Sequence, residues 1–112
     1  MASETRRAEM SEYVLTRLAR ADLAEIWFYI AEDSESAADR VQRAILEACE
    51  LVGKSPFLGG RRADFTDRPV RCWTVPRYSN YIIVYRPDTH PIEIVRVVHG
   101  RRNLQRVLRQ GA

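Results

Sequence analysis

The chain offers little for metal or disulfide chemistry. Its two cysteines, Cys49 and Cys72, are in no CxxC spacing, and with only His90 and His99 beside them they make neither a zinc ligand set nor a disulfide framework. Long hydrophobic runs are scarce too. The longest holds five or six residues, far below the roughly 20 that span a bilayer, and no apolar segment at the start reads as a secretion signal. Five glycines include one adjacent pair, Gly59-Gly60, with no Gly-Lys-Ser/Thr after it, which excludes a phosphate loop. These gaps point to a reducing cytoplasmic setting with no cofactor, no metal and no membrane. Lysine is nearly missing: seventeen arginines stand against Lys54 alone, for a net charge of +3. Arginine forks suit carboxylates and phosphates, so the bias fits an acidic protein partner or nucleic acid, and equally a GC-rich coding sequence.

What is present centres on residues 81–99. Tyr-Ile-Ile-Val-Tyr-Arg and Ile-Glu-Ile-Val-Arg-Val-Val-His flank Pro87-Asp-Thr-His-Pro91, two β-branched runs about a breaker, which predicts a β-hairpin. The first run barely alternates, so both its faces are covered and it lies inside a sheet. Residues 1–9 are polar without period and read as a disordered tail, leaving 10–112 as one domain. Tyr13-Val14-Leu15 is a short first strand. Ala19, Leu23, Ile26, Trp27 and Ile30 then recur at helical spacing, predicting a helix from about Thr16 to Glu32 with Trp27 in the core. Ser34 and Ser36 are both cap candidates, and Ser36 with Asp39 makes an S-x-x-D helix start. The stripe Ala38, Val41, Ile45, Ala48, Cys49 and Val52 follows, stopped at Gly53-Lys-Ser-Pro56. Cys49 in that stripe reads as a small buried hydrophobe.

Residues 56–62 read as a loop whose glycines mark positive φ or a close backbone approach. Val70 to Val75 alternates, with Val70, Cys72 and Thr74 on one face and Arg71, Trp73 and Val75 on the other, one of them wet. After His99-Gly100, Leu104, Val107 and Leu108 form a weak closing helix packed back on the domain. The order β-α-α-β-β-β-(α) predicts an α+β fold, an antiparallel sheet with a helical hairpin on one face.

Several pieces of the chain, taken together, resemble the ParE/RelE superfamily of bacterial type II toxins. They are Leu15-Thr16, Ala19, Asp22-Leu23, Ile26-Trp27, Tyr29-Ile30, Ala37-Ala38, Pro56, Gly59, Arg71, Tyr78, Ile82-Ile83, Tyr85 and the Arg96-Val-Val-His99-Gly100-Arg-Arg segment. The resemblance implies the RelE/ParE-like fold and a small toxin in a hetero-oligomer with a co-expressed antitoxin. It leaves two actions open: the ParE branch inhibits DNA gyrase by binding and is silenced by an acidic ParD-like antitoxin, whereas the RelE branch is a ribosome-dependent mRNA endoribonuclease. A third reading is an antitoxin-binding module without toxicity.

RNA cleavage through the 2′-hydroxyl needs a proton acceptor, a proton donor and cations on the phosphate. The positions where RelE-like cleavers carry such groups align with Trp73, Val75, Ile82, Arg102 and Leu108, of which only the arginine is ionisable. The expectation is therefore a ParE-type gyrase inhibitor without catalytic residues. A nuclease would have to draw on Arg71, Arg96, His99 and Arg102. Arg96 in an apolar strand either pairs with an acid from the helical hairpin, or with backbone, or serves function. His99 is either a hydrogen-bonded strand-end histidine or a base. Trp73, Arg77, Tyr78, Arg101, Arg102, Leu104 and Leu108 are the candidates for contact with antitoxin or target, against the alternative of a solvated face.

Overall fold

The computed structural model describes residues 12–110, so the expected tail at 1–9 lies outside the described residues. The chain runs β1 (Tyr13–Leu15), α1 (Arg17–Ala31), α2 (Glu35–Lys54), β2 (Gly60–Arg61), β3 (Arg71–Thr74), β4 (Tyr81–Arg86), β5 (Ile92–His99) and α3 (Arg101–Gln110). One five-stranded sheet has the order β1-β5-β4-β3-β2, with β4 in its centre as its unbroken apolar run requires.

The sheet is mixed rather than wholly antiparallel. β1 lies parallel to β5, with Ile92 N–H donating to Glu12 O at 2.9 Å and Thr16 N–H to Ile94 O at 3.0 Å. A three-residue strand carries no alternation from which its direction could be read. A second addition is β2, two residues paired with β3 where a loop was expected.

Both helices of the hairpin begin at hydroxyl caps. Thr16 Oγ1 accepts from Ala19 N at 3.2 Å and Ser34 Oγ from Ala37 N at 3.1 Å. Ser34 therefore starts α2, two residues ahead of the Ser36 start, which puts Glu35 in the first turn. α1 and α2 bury Leu23, Val41, Ile45 and Val52 against Ile83, Tyr85, Ile92, Ile94 and Val97. α3 covers the opposite face, where Leu104, Val107 and Leu108 meet Val70, Ile82, Val84 and Val98. Both faces of β3 carry packed side chains, Cys72 on the α3 side and Trp73 on the hairpin side, while Thr74 at its end and the two residues of β2 are exposed.

Trp27 is corrected from core to margin: it is half-buried and its Nε1 donates to Asp39 Oδ1 at 2.9 Å, pinning α1 to α2 at the edge of their contact. A β-bulge at Val95 decides the chemistry of β5. Strict alternation would place Arg96 on the face of Ile92 and Ile94. Instead Val84 pairs with Arg96 while Tyr85 pairs with Ile94, and the skipped residue delivers Val97 to the hairpin core.

Candidate functional site

β1 accompanies β5 only as far as Ile94, so the outer edge of β5 beyond that point borders a groove between α1 and α3. Side chains close this edge. Asp22 Oδ2 accepts from Val97 N at 2.9 Å, and Asn103 Nδ2 donates to His99 O at 2.6 Å, which blunts an edge that would otherwise invite strand pairing. The groove is about 340 Å³, with Tyr29, Tyr81, His99 and Arg106 among its walls. The Tyr81 and His99 rings lie 4.9 Å apart, tilted by 46°. Burial pushes the Tyr81 phenol above its usual range, with Tyr29 adding to the shift, so this hydroxyl stays protonated at neutral pH.

Arg96 is held by a two-pronged bond to Asp22, Nε to Oδ2 at 2.8 Å and Nη2 to Oδ1 at 3.0 Å. Of the readings open for Arg96, the structure takes the acid from the helical hairpin. The Asp22 hydrogen bond raises the Arg96 pKa further, against the opposing effect of burial. Its fork is thus already spent on a carboxylate.

The remaining cations scatter. Arg71 sits on β3, where Nη1 donates to Gly59 O at 2.7 Å. Arg71 pairs with Tyr85 and His99 with Tyr81, four residues along β4 and on opposite sides of it, an offset of roughly 13 Å along the strand with two strand spacings across the sheet in addition. Arg101 and Arg102 are exposed on the first turn of α3. Arg71, Arg96, His99 and Arg102 are therefore not brought together. The aligned cleaver positions do not share a pocket either. Trp73 and Val75 face the hairpin core, whereas Ile82 and Leu108 belong to the α3 core.

Arg77 is exposed at the β3–β4 turn with a φ of 72°, and Tyr78 beside it is half-buried against the hairpin core. Trp73 is half-buried, and its Nε1 has no hydrogen-bond partner among the described residues. Leu104 and Leu108 are corrected as contact residues. Each is 1% exposed, because both are needed to seat α3 on the sheet.

The exposed apolar surface also includes residues that are not among the contact candidates above. Leu18, Phe28 and Tyr29 are exposed on α1, and Phe57 and Leu58 on the loop after α2, with Phe57 at 70%. An exposed aromatic carries no periodic signal, because a helical stripe identifies only the face that is covered. The two thiols take no part in this surface chemistry: burial pushes Cys49 up to about 12 and Cys72 up to about 11, which keeps both protonated and unreactive at neutral pH.

Comparison with known proteins gives a consistent result. The family model described as the ParE toxin of the type II toxin-antitoxin system, parDE, matches residues 13–104. A curated relative, Toxin ParE1 of Caulobacter vibrioides, is 30% identical over 96 residues, which cover 84% of this chain and 94% of the relative. Among solved structures, a chain of the chromosomal ParDE TA system from P. aeruginosa superposes with a TM-score of 0.65 at 24% identity, covering 82% of this chain and 98% of that one. At that identity the structural likeness speaks for the fold alone.

Proposed function

The chain belongs to the ParE toxin family of type II toxin-antitoxin systems, and on that premise we propose that it acts by binding DNA gyrase, and that an acidic ParD-like antitoxin silences it in a hetero-oligomer. The observation that carries this reading is the fate of the arginines. A phosphoryl-transfer site needs cations free to meet charge as it develops on one phosphate. Here Arg96 is committed to Asp22, Arg71 lies on β3 across β4 from His99, and Arg102 lies apart on α3. Recognition surfaces are plentiful by contrast. The groove beside β5 and the exposed aromatics of α1 offer apolar anchors rimmed by charge, the anatomy of a protein interface. Contact roles for Trp73, Arg77, Tyr78, Arg101 and Arg102 belong to the same proposal.

Incubating the purified chain with gyrase, ATP and relaxed plasmid tests it. Loss of supercoiling, or accumulation of cleaved plasmid, is the expected result, reversed by the acidic product of a neighbouring gene. Normal supercoiling at a large excess of the chain sinks it. The competing reading is a ribosome-dependent endoribonuclease, and one observation favours it: His99, Tyr81 and Arg106 do line one groove. Primer extension on mRNA after induction separates the two, since cuts that vanish in His99→Ala establish the nuclease.

A further inference from the structure

The loop after α2 is built as a presenting device. The Tyr85 hydroxyl, buried under the sheet, donates to Pro56 O at 2.7 Å and accepts from Gly59 N at 2.9 Å. The Arg71 bond to Gly59 O fixes the same turn from β3. A Cβ on Gly59 would lie 2.6 Å from Cys72 O and 2.8 Å from the Tyr85 hydroxyl, so the loop is pressed onto the sheet at that point. Yet Phe57 and Leu58, inside this stapled segment, stand out in solvent at 70% and 41% exposure. The pinning leaves them no route to bury themselves.

A second observation concerns charge. Arg61 and Arg71 lie directly opposite each other across β2 and β3, and like charges in that position are destabilising. Among the described residues neither is in an ion pair, the arginine pairs being Arg62 with Asp64, Arg86 with Asp88 and Glu93, and Arg96 with Asp22. The Arg71 guanidinium also sits 5.0 Å from the Phe57 ring centre, so the apolar knob and the uncompensated cations form one patch. The free chain carries the cost of an exposed aromatic and an unneutralised arginine pair. Both costs are relieved together by a ligand that brings carboxylates and an apolar socket.

We propose that Phe57, Leu58, Arg61 and Arg71 form a docking surface for an acidic, apolar segment of a partner protein, at the sheet edge opposite the groove beside β5. Within the toxin-antitoxin reading, on which this rests, that partner is the antitoxin, whose acidic character matches the arginine pair. Nucleic acid is the poorer fit. It supplies anions for Arg61 and Arg71 but nothing for aliphatic Leu58, and one face of Phe57 is already taken by Arg71. Across the sheet, β2 at the docking surface lies three strand spacings, roughly 14 Å, from β5 at the groove. A segment engaging both surfaces gains by linkage more than either contact gives alone.

The test titrates the labelled acidic product of the neighbouring gene with the full-length chain at two salt concentrations. Phe57→Ser is expected to weaken binding about tenfold, as loss of an interface anchor does. Arg61→Glu should weaken it and flatten its salt dependence, with recovery when an antitoxin Glu is changed to Arg. Both side chains are exposed, so neither variant should melt below the wild type, and Arg61→Glu, which turns the like-charge pair with Arg71 into an opposite-charge one, should melt slightly higher. Wild-type affinity in both variants overturns the proposal while leaving the family reading intact. So does loss of growth arrest at unchanged antitoxin affinity, which assigns the patch to the target, or loss of plasmid retention alone, which assigns it to nucleic acid. If the wild-type chain itself fails to bind the acidic protein, the antitoxin reading falls, and the proposal with it.

Discussion

Tyr85 fills the hairpin core with its ring, fully buried, while its hydroxyl satisfies two backbone groups of a distant loop. Those two roles separate experimentally. Tyr85→Phe keeps the packing but strands the Pro56 carbonyl and Gly59 N–H, and a buried polar group left unpaired costs about 1–3 kcal/mol. We expect a loss of about 2 kcal/mol in urea denaturation, with the loop after α2 becoming sensitive to protease. An unchanged midpoint would mean that water replaces the hydroxyl. Arg77 makes the reverse case. Its φ of 72° is a conformation that costs a side-chain-bearing residue about 1 kcal/mol and glycine almost nothing. Arg77→Gly should therefore raise stability by about that amount in the same assay. If the arginine contacts a partner, the variant will be more stable and less active.

Thr16 ends β1 and starts α1, and its hydroxyl serves both elements. It accepts from Ala19 N at 3.2 Å as a cap and donates to the bulged Val95 O at 2.9 Å, tying the helix start to the one irregular residue of β5. Thr16→Ala should cost about 1–2 kcal/mol by thermal or chemical denaturation, while Thr16→Ser, which keeps the oxygen, should cost a fraction of that. The two helices were legible in advance because cap residues and apolar stripes are local signals written within one turn. The Val95 bulge was not, because the apolar residues of β5 fit either register and only pairing with β4 distinguishes them. Its consequence is large: the bulge takes Arg96 off the core face and sets it beside Asp22, so an arginine whose role stayed open in the sequence becomes a structural brace. Trp27 was placed in the core for a related reason, since helical spacing gives the stripe but not where along it the neighbouring helix stops.

At the scale of the molecule, one sheet separates two unequal cores. The larger binds α1 and α2 to the sheet, while the smaller depends on α3, ten residues seated by Leu104, Val107 and Leu108 with Phe65 packed beside them. The sequence revealed that α3 packs back on the domain. It could not reveal on which face, so Leu104 and Leu108 were taken for contact residues when they close the second core. The candidate site was legible only as a set of residues: the sequence singles out Arg71, Arg96 and Arg102, but whether each points to a carboxylate, a carbonyl or solvent is decided by partners distant in sequence. A short helix held by a few side chains is a natural unit of local opening, below the free energy of global unfolding. Amide hydrogen exchange should show α3 losing protection well before β4 and α2. Leu104→Ala, which removes a buried side chain at a cost of about 2–5 kcal/mol, should speed exchange in α3 far more than in α2. Equal acceleration in all three helices would show that the two cores unfold as one, with the sheet coupling its faces rather than dividing them.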